Sequence, residues 1–257
     1  MYVNAVLHEC FPARGQRVAY GANLWAHRFL LKLERKVSTF VAPSRFLADR
    51  LISWGIPANR VVQVRNVTHI PSQPPPFQTN GHGLFLGRLS VEKGVDVLLR
   101  ALRSAGDPPF VIAGDGPART DLEDLARELR LSGVRFVGSV DLDGVRDLLS
   151  HSSFLAAPSV SEENAPLSVG EALAHGRPVI VSRIGGLPEL AAEGRGLICV
   201  PGDVPALADR IRRLTDTPQL CSDMGAKGRR FAEDELNEST HLRRLEEVYS
   251  TLVQATS

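Results

Sequence analysis

Short apolar runs alternate with helix-length segments through most of the chain, and that alternation leaves few folds open. After residue 82 come "GLFLG" (83–87), "FVIAG" (110–114), "VRFVG" (134–138), "FLAAP" (154–158), "PVIVS" (178–182) and "GLICV" (196–200). Each is too short for a buried helix and is bounded by glycine, proline or polar residues, as a strand buried on both faces would be. Segments with helical patterning begin between them, near Val95, Thr120, Asp143 and Pro166. Successive βα units of this kind predict an α/β fold, a doubly wound parallel sheet with helices on both faces. From Val204 onward the chain reads as helical and ends in the amphipathic "HLRRLEEVYSTLV" (241–253).

The stretch "PSQPPPFQTNGHG" (71–83) breaks the pattern with four prolines and no apolar period, which marks a linker. Ahead of it, "YVNAVLH", "VSTFVAP" and "VVQVRN" read as strands, with helices over Gly21 to Lys36 and from an N-cap at Ser44 to a stop at Gly55. The expected division is a partial α/β domain over 1–70, a linker over 71–82, a Rossmann-like domain over 83–237 and a C-terminal helix over 238–257. Three strands and two helices bury a limited core, so the N-terminal part is expected to lean on the other domain or on a partner chain. In "WAHRFLLKLERKV" (25–37), Trp25, Phe29, Leu30, Leu33 and Val37 form one stripe, largely opposite Arg28, Lys32, Arg35 and Lys36. Such a helix packs on its own sheet or rests on an anionic membrane.

Of the 257 residues, 43% are hydrophobic and 23% charged, the balance of a globular chain and not of a disordered one. No apolar run reaches membrane-spanning length, and Met1 is followed directly by "YVNAVLH" where a secretory leader would carry basic and then apolar residues. A cytoplasmic protein is expected, with peripheral contact at the inner face of the membrane left open. Cys10, Cys199 and Cys221 form no metal or disulfide pattern and read as reduced, mostly buried thiols. The net charge of +1 conceals ten Lys/Arg against three Asp/Glu in residues 1–70, an excess that favours anionic ligands. Without a recognisable module or an aromatic stacking series, nucleic acid is not among them.

In open parallel sheets ligands bind beyond the carboxyl ends of the strands, so the loops there carry the chemistry. "GRLSVEKG" (87–94) places Arg88 and Lys93 beside a helix start, a pairing suited to a diphosphate. It is not a P-loop, because no G-K-[ST] follows. "GDGPA" (114–118) lacks the glycine spacing of a dinucleotide site and reads as a tight turn. "SEENAPLSVGEALAHGRPVIVSRIGG" (161–186) sets Glu163 and Glu171 with seven residues between them, across an expected N-cap at Asn164 and a helix starting near Pro166. The helix start attracts phosphate, and Glu171 lies ~7 Å along the axis from Pro166. A nucleotide sugar, with phosphate at its centre and hydroxyls at both ends, matches that spacing. Two solvated glutamates would give the same local sequence, and it is the neighbouring loops that favour a ligand. The paired glycines of "IGGLPEL" (184–190) would let backbone approach that ligand. Paired carboxylates also suit a glycosidase, but there Arg88 and Lys93 would have no role.

The ordered series "GRLSVEKGVDVLLRAL", "FVIAGDGP", "VRFVGSV" and "PSVSEENAPLSVGEALAHGRPVIVSRIGGLPEL" resembles the retaining glycosyltransferases of family 4, which have the GT-B fold and an E-x7-E motif. "VAPSRFLADRLISWGIPANRVVQVRN" resembles the same family's approach to the linker. The resemblance implies transfer of a sugar from a nucleoside-diphosphate-sugar donor to a glycan or lipid-linked acceptor, with retention and without metal or cofactor. It assigns the diphosphate to Arg88 and Lys93, the ribose hydroxyls to Glu171 and the donor sugar to Glu163. Backbone N–H groups near Ala165, Pro166 and Leu167 would support phosphate or sugar. His8 is a weaker match to a histidine lining the family's cleft. The family's N-terminal domain is longer than 70 residues, so a donor-binding remnant, or a subunit completed by a partner chain, stands as the alternative to an active transferase.

Overall fold

The structure is a computed structural model, and it describes residues 19–20, 22–23, 36–76 and 81–256. The expected strand "YVNAVLH", His8, Cys10 and most of the Trp25–Val37 stripe lie outside those residues. The described N-terminal part is β1 (Phe40–Ala42), α1 (Arg45–Ser53) and β2 (Val61–Gln63), with β1 and β2 parallel. Ser44 caps α1 as its residue type predicts, accepting the Leu47 N–H at 3.1 Å. Val41 and Val62 stay exposed on this small sheet and α1 buries no residue fully, so the unit takes little support from a core of its own.

The larger sheet comprises β3 (His82–Leu86), β4 (Phe110–Ala113), β5 (Val134–Gly138), β6 (Ser152–Ala157), β7 (Val179–Ser182) and β8 (Gly196–Cys199). All neighbours are parallel, in the order β5-β4-β3-β6-β7-β8. The order reverses direction between β3 and β6, where the crossovers diverge and leave a crevice. The connecting helices are α2 (Val95–Ser104), α3 (Arg119–Glu128), α4 (Leu142–His151), α5 (Leu167–Ala174), α6 (Leu187–Ala191) and α7 (Val204–Asp216), followed by α8 (Pro218–Glu235) and α9 (Glu238–Thr256).

Period-two alternation in β3 feeds two cores. Phe85 joins Leu98, Leu99 and Leu102 of α2 and Ile211 of α7 on one face, while Leu84 and Leu86 join Leu149 of α4 and Val169 and Leu173 of α5 on the other. Each fully buried leucine contributes about 2 kcal/mol of transfer free energy. Cys199 and Cys221 are buried thiols, and burial pushes the Cys221 thiol up to about 12.

Proline-rich residues 71–76 are docked on the sheet domain by two buried arginines. Arg177, 1% exposed, donates to the carbonyls of Leu149 and Ser150 at the end of α4 and of Pro75 and Pro76. Burial pulls its pKa down to about 10. Arg229 donates to Ala174 O at the end of α5 and to Pro71 O, at 2.7 and 2.6 Å. Just upstream, Thr68 crosses α5 at Gly170, where a Cβ would come within 2.6 Å of the Thr68 hydroxyl.

Candidate functional site

The loops beyond β3, β4, β5 and β6 enclose a cavity of about 530 Å³ whose lining includes Arg88, Lys93, Asp115, Ser139, Glu163, Pro166, Leu167, Ser168 and Glu171. Six of the seven residues singled out in the sequence therefore meet in one place. The seventh, Ala165, faces an adjoining small pocket beside Asn66 and Thr68, and its carbonyl accepts from Asn66 Nδ2 at 3.1 Å.

Lys93 arrives on a 3-10 turn, Val91–Lys93, that ends at Gly94 in the left-handed region, φ 65°. Glycine is required there, since a Cβ would stand 2.3 Å from the Pro158 carbonyl. The close approach joins the loop after β3 to the loop after β6, and Val160 N–H donates to Glu92 O across the seam at 2.9 Å. Lys93 Nζ thereby reaches Glu163 Oε1 at 2.6 Å, and buried Ser159 donates to the same oxygen at 2.7 Å. Arg88 is exposed at the mouth and forms no ion pair among the described residues.

Helix α5 starts at Leu167, one residue after the expected position, with Pro166 as its N-cap and no side-chain cap. Asn164 is not the cap. Its Oδ1 accepts the hydroxyl of Ser44 instead, because a partner from α1 outcompetes the local N–H groups. The first N–H groups of α5 have no side-chain cap, and Leu167 and Ser168, at the positive end of the helix dipole, line the cavity. Pro166 has no N–H to offer and shapes the wall only. Further along α5, Glu171 lines the same cavity half-buried and without a partner among the described residues, and burial raises its pKa.

The glycine pair serves a different end from the expected one. Gly185, φ 59°, and Gly186 lie against the backbone of residues 163 and 164, where Cβ atoms would come within 2.1 Å of Glu163 O and 2.0 Å of Asn164 O. Gly186 N–H donates to Glu163 O at 2.7 Å. The pair packs against the Glu163 loop, and neither glycine is among the residues that line the cavity. "GDGPA" is the tight turn it reads as: Asp115 accepts its neighbour Gly116 N–H at 2.7 Å, which lowers its pKa, and its presence in the lining had no sequence signal. Ser139 and Ser168 were equally silent. Among the described residues no three His, Cys, Asp or Glu side chains group as metal ligands, and no helix is long and apolar enough to cross a membrane.

A pair of cations, a helix start without a side-chain cap and two carboxylates surround one crevice, an arrangement whose chemistry suits a phosphorylated, hydroxyl-rich ligand. The family model described as "Glycosyl transferases group 1" matches residues 69–231, a span that contains every residue of this site. The chain belongs to the group 1 glycosyltransferases. Among curated relatives, it is 35% identical over 144 residues to alpha-D-kanosaminyltransferase of Streptomyces kanamyceticus, covering 53% of this chain and 37% of that protein. It is 36% identical over 165 residues to D-inositol 3-phosphate glycosyltransferase of Streptomyces avermitilis, covering 58% and 35%. The matching stretch is thus little more than a third of either relative. Sucrose-phosphate synthase from Thermosynechococcus elongatus superposes with a TM-score of 0.77 at 25% identity, over 88% of this chain and 62% of that one. Anabaena Alr3699/HepE in complex with UDP-glucose shares the fold, with a TM-score of 0.76 at 21% identity over 91% and 68%. The α/β architecture is that of GT-B glycosyltransferases, and this chain's parallel sheet is their Rossmann-like unit.

Proposed function

We propose that the cavity is the donor site of a retaining, family 4 glycosyltransferase, and that the protein moves a sugar from a nucleoside diphosphate to a glycan or lipid-linked acceptor. The observation that carries this reading is the convergence of Arg88, the Lys93–Glu163 pair and Glu171, which has no partner among the described residues, on one crevice at a helix start without a side-chain cap. Arg88, Lys93 and the Leu167 and Ser168 N–H groups hold the diphosphate. Glu171 takes the ribose hydroxyls, which accounts for a carboxylate left half-buried without a partner. Glu163 takes the sugar hydroxyls, a role that its contact with Lys93 supports, since the sugar adjoins the diphosphate. The solved HepE complex with UDP-glucose supports a donor of this class.

In the transfer the bond from the anomeric carbon to the diphosphate oxygen breaks and its electron pair leaves with that oxygen. The two cations and the helix start stabilise the developing charge. The acceptor hydroxyl bonds to the same carbon on the same face, and its proton passes to the departing diphosphate. Neutralisation by side chains and backbone makes no call on a metal ion.

Thermal unfolding with millimolar UDP, GDP and ADP tests the site. A ligand at a hundred times its Kd stabilises by about 2.7 kcal/mol, which in a chain of this size raises Tm by roughly 5–10 °C. Arg88→Ala and Lys93→Ala should each remove most of that rise. A Tm indifferent to all three diphosphates refutes the assignment. A lipid-linked acceptor would also bring the protein to an anionic membrane surface, and failure to co-float with anionic liposomes at low salt would remove that part of the proposal.

A further inference from the structure

The loop that carries Glu163 is gripped by side chains that the donor chemistry does not use. Ser44, 2% exposed, accepts from Leu47 N–H and donates its own proton to Asn164 Oδ1. Asn66 Nδ2 donates to Ala165 O at 3.1 Å, and Arg50 pairs with Glu162. The residue before Glu163 and the two after it are therefore all anchored on residues 44–66. On the other side, the Gly185–Gly186 turn is pressed against Glu163 O, and Glu189 just beyond it binds α1 in turn. Its Oε1 accepts Phe46 N–H at 2.7 Å and its Oε2 accepts Arg45 N–H at 3.0 Å. The start of α1 thus holds both the loop and the turn that backs it.

These contacts differ in weight. Arg50 and Glu162 are exposed, and such pairs contribute little. Ser44 is buried and Asn66 half-buried, so each needs its partner, and each partner lies within two residues of Glu163. Arg88 and Lys93, by contrast, sit on the loop after β3 and are not contacted by residues 44–66 themselves; Lys93 meets the clasped loop only through Glu163 and the seam at Glu92 and Gly94.

We propose that Ser44 and Asn66 are positioning residues for the donor sugar. Acting through Asn164 and Ala165, they hold the Glu163 carboxylate in the cavity, so the packing of the N-terminal part on the sheet domain sets how well the sugar is selected. The inference rests on the donor-site reading of Glu163. Reacting or binding groups displaced by about an ångström lose much of their advantage, and the loop has no regular secondary structure to keep it in place otherwise.

Calorimetry separates this role from a general loss of structure. The ligands are whichever of UDP, GDP and ADP binds, and that nucleotide's glucose, galactose, mannose and N-acetylglucosamine conjugates. The affinity of the best conjugate relative to the free diphosphate measures the sugar contribution. Ser44→Ala and Asn66→Ala should each cut that ratio roughly fivefold, the factor for one hydrogen bond, and flatten the preference among sugars. Diphosphate affinity should stay within twofold of the unmodified protein, roughly the scatter of neutral substitutions, which also reports that the variants fold. Ser44→Thr, which keeps the hydroxyl, should restore the ratio. An unchanged ratio in both alanine variants, or a parallel loss of diphosphate and conjugate affinity in both, overturns the positioning role. If the unmodified protein binds none of the three diphosphates, the donor-site reading beneath it falls instead.

Discussion

Glu163 and Glu171 hold the same functional group in opposed states, so glutamine at each position should move stability in opposite directions. The Glu163 carboxylate is bonded to Lys93 and Ser159, with the ion-pair partners 26% and 18% exposed. Its replacement removes a charge-assisted, partly buried contact of about 1–2 kcal/mol, a fall of roughly 2–8 °C in Tm for a chain of this size. Glu171 has only a penalty to lose. Glutamine would remain an unpaired polar group, but it sheds the cost of desolvating a charge in a half-buried position open to a cavity, so Glu171→Gln should gain up to about 1 kcal/mol. The pH dependence follows from the raised pKa of Glu171. Between its ordinary value and the raised one, the folded state holds more proton than the unfolded, so stability falls as pH rises through that interval. The advantage of Glu171→Gln should be absent below the ordinary carboxylate range and grow as pH rises through and above it, in urea unfolding across a pH series. The more stable variant should bind nucleoside diphosphate and its sugar conjugate about tenfold more weakly, having exchanged a carboxylate that can accept from both ribose hydroxyls for an amide with one uncharged acceptor oxygen. Glu163→Gln should keep the diphosphate and lose the sugar contribution. Shifts of the same sign in both variants, or full diphosphate affinity in Glu171→Gln, would refute the reasoning.

Gly185→Ala places a Cβ against Glu163 O at a φ of 59°, so it should cost at least about 2 kcal/mol, read as a lower urea midpoint with an unchanged slope. Arg177→Ala strips the donor from carbonyls of α4 and of Pro75 and Pro76 and opens a cavity, and a loss of about 3–4 kcal/mol is expected by the same measurement. Turnover, once an acceptor is found, should survive EDTA; loss restored by a divalent cation would show that Arg88, Lys93 and the helix start do not suffice to stabilise the leaving group.

Elements buried on both sides were the most legible. A strand such as "PVIVS" carries consecutive apolar residues because both its faces are covered, and the observed Val179–Ser182 differs from it by one residue. The start of α5 was legible for a similarly local reason, as Pro166 fixes where a helix can begin. Its cap was not, because the partner of Asn164 lies 120 residues earlier. The glycine pair misled in the same way: local sequence shows that backbone comes close but not which backbone. Arg177 and Arg229 gave no signal at all. Arginine is read as a surface residue, and only the assembled fold reveals the helix ends and proline carbonyls that hold these two inside. Within the cavity, Arg88, Lys93, Glu163 and Glu171 could be named from chemistry, whereas Asp115 and Ser139 enter through the course of their loops and Ser168 through the first turn of α5.

Where Thr68 presses on Gly170, the seven-residue interval of the motif becomes a ruler that tolerates substitution but not a change of length. Deleting one residue between Pro166 and Glu171 would turn the carboxylate by about 100° around the helix and off the cavity wall. The helix could not roll back to compensate, since rolling would bring another residue's Cβ beneath Thr68, into space that only a glycine leaves free. Homologous sequences that keep this crossing should vary in the residues between the two glutamates while keeping their number fixed.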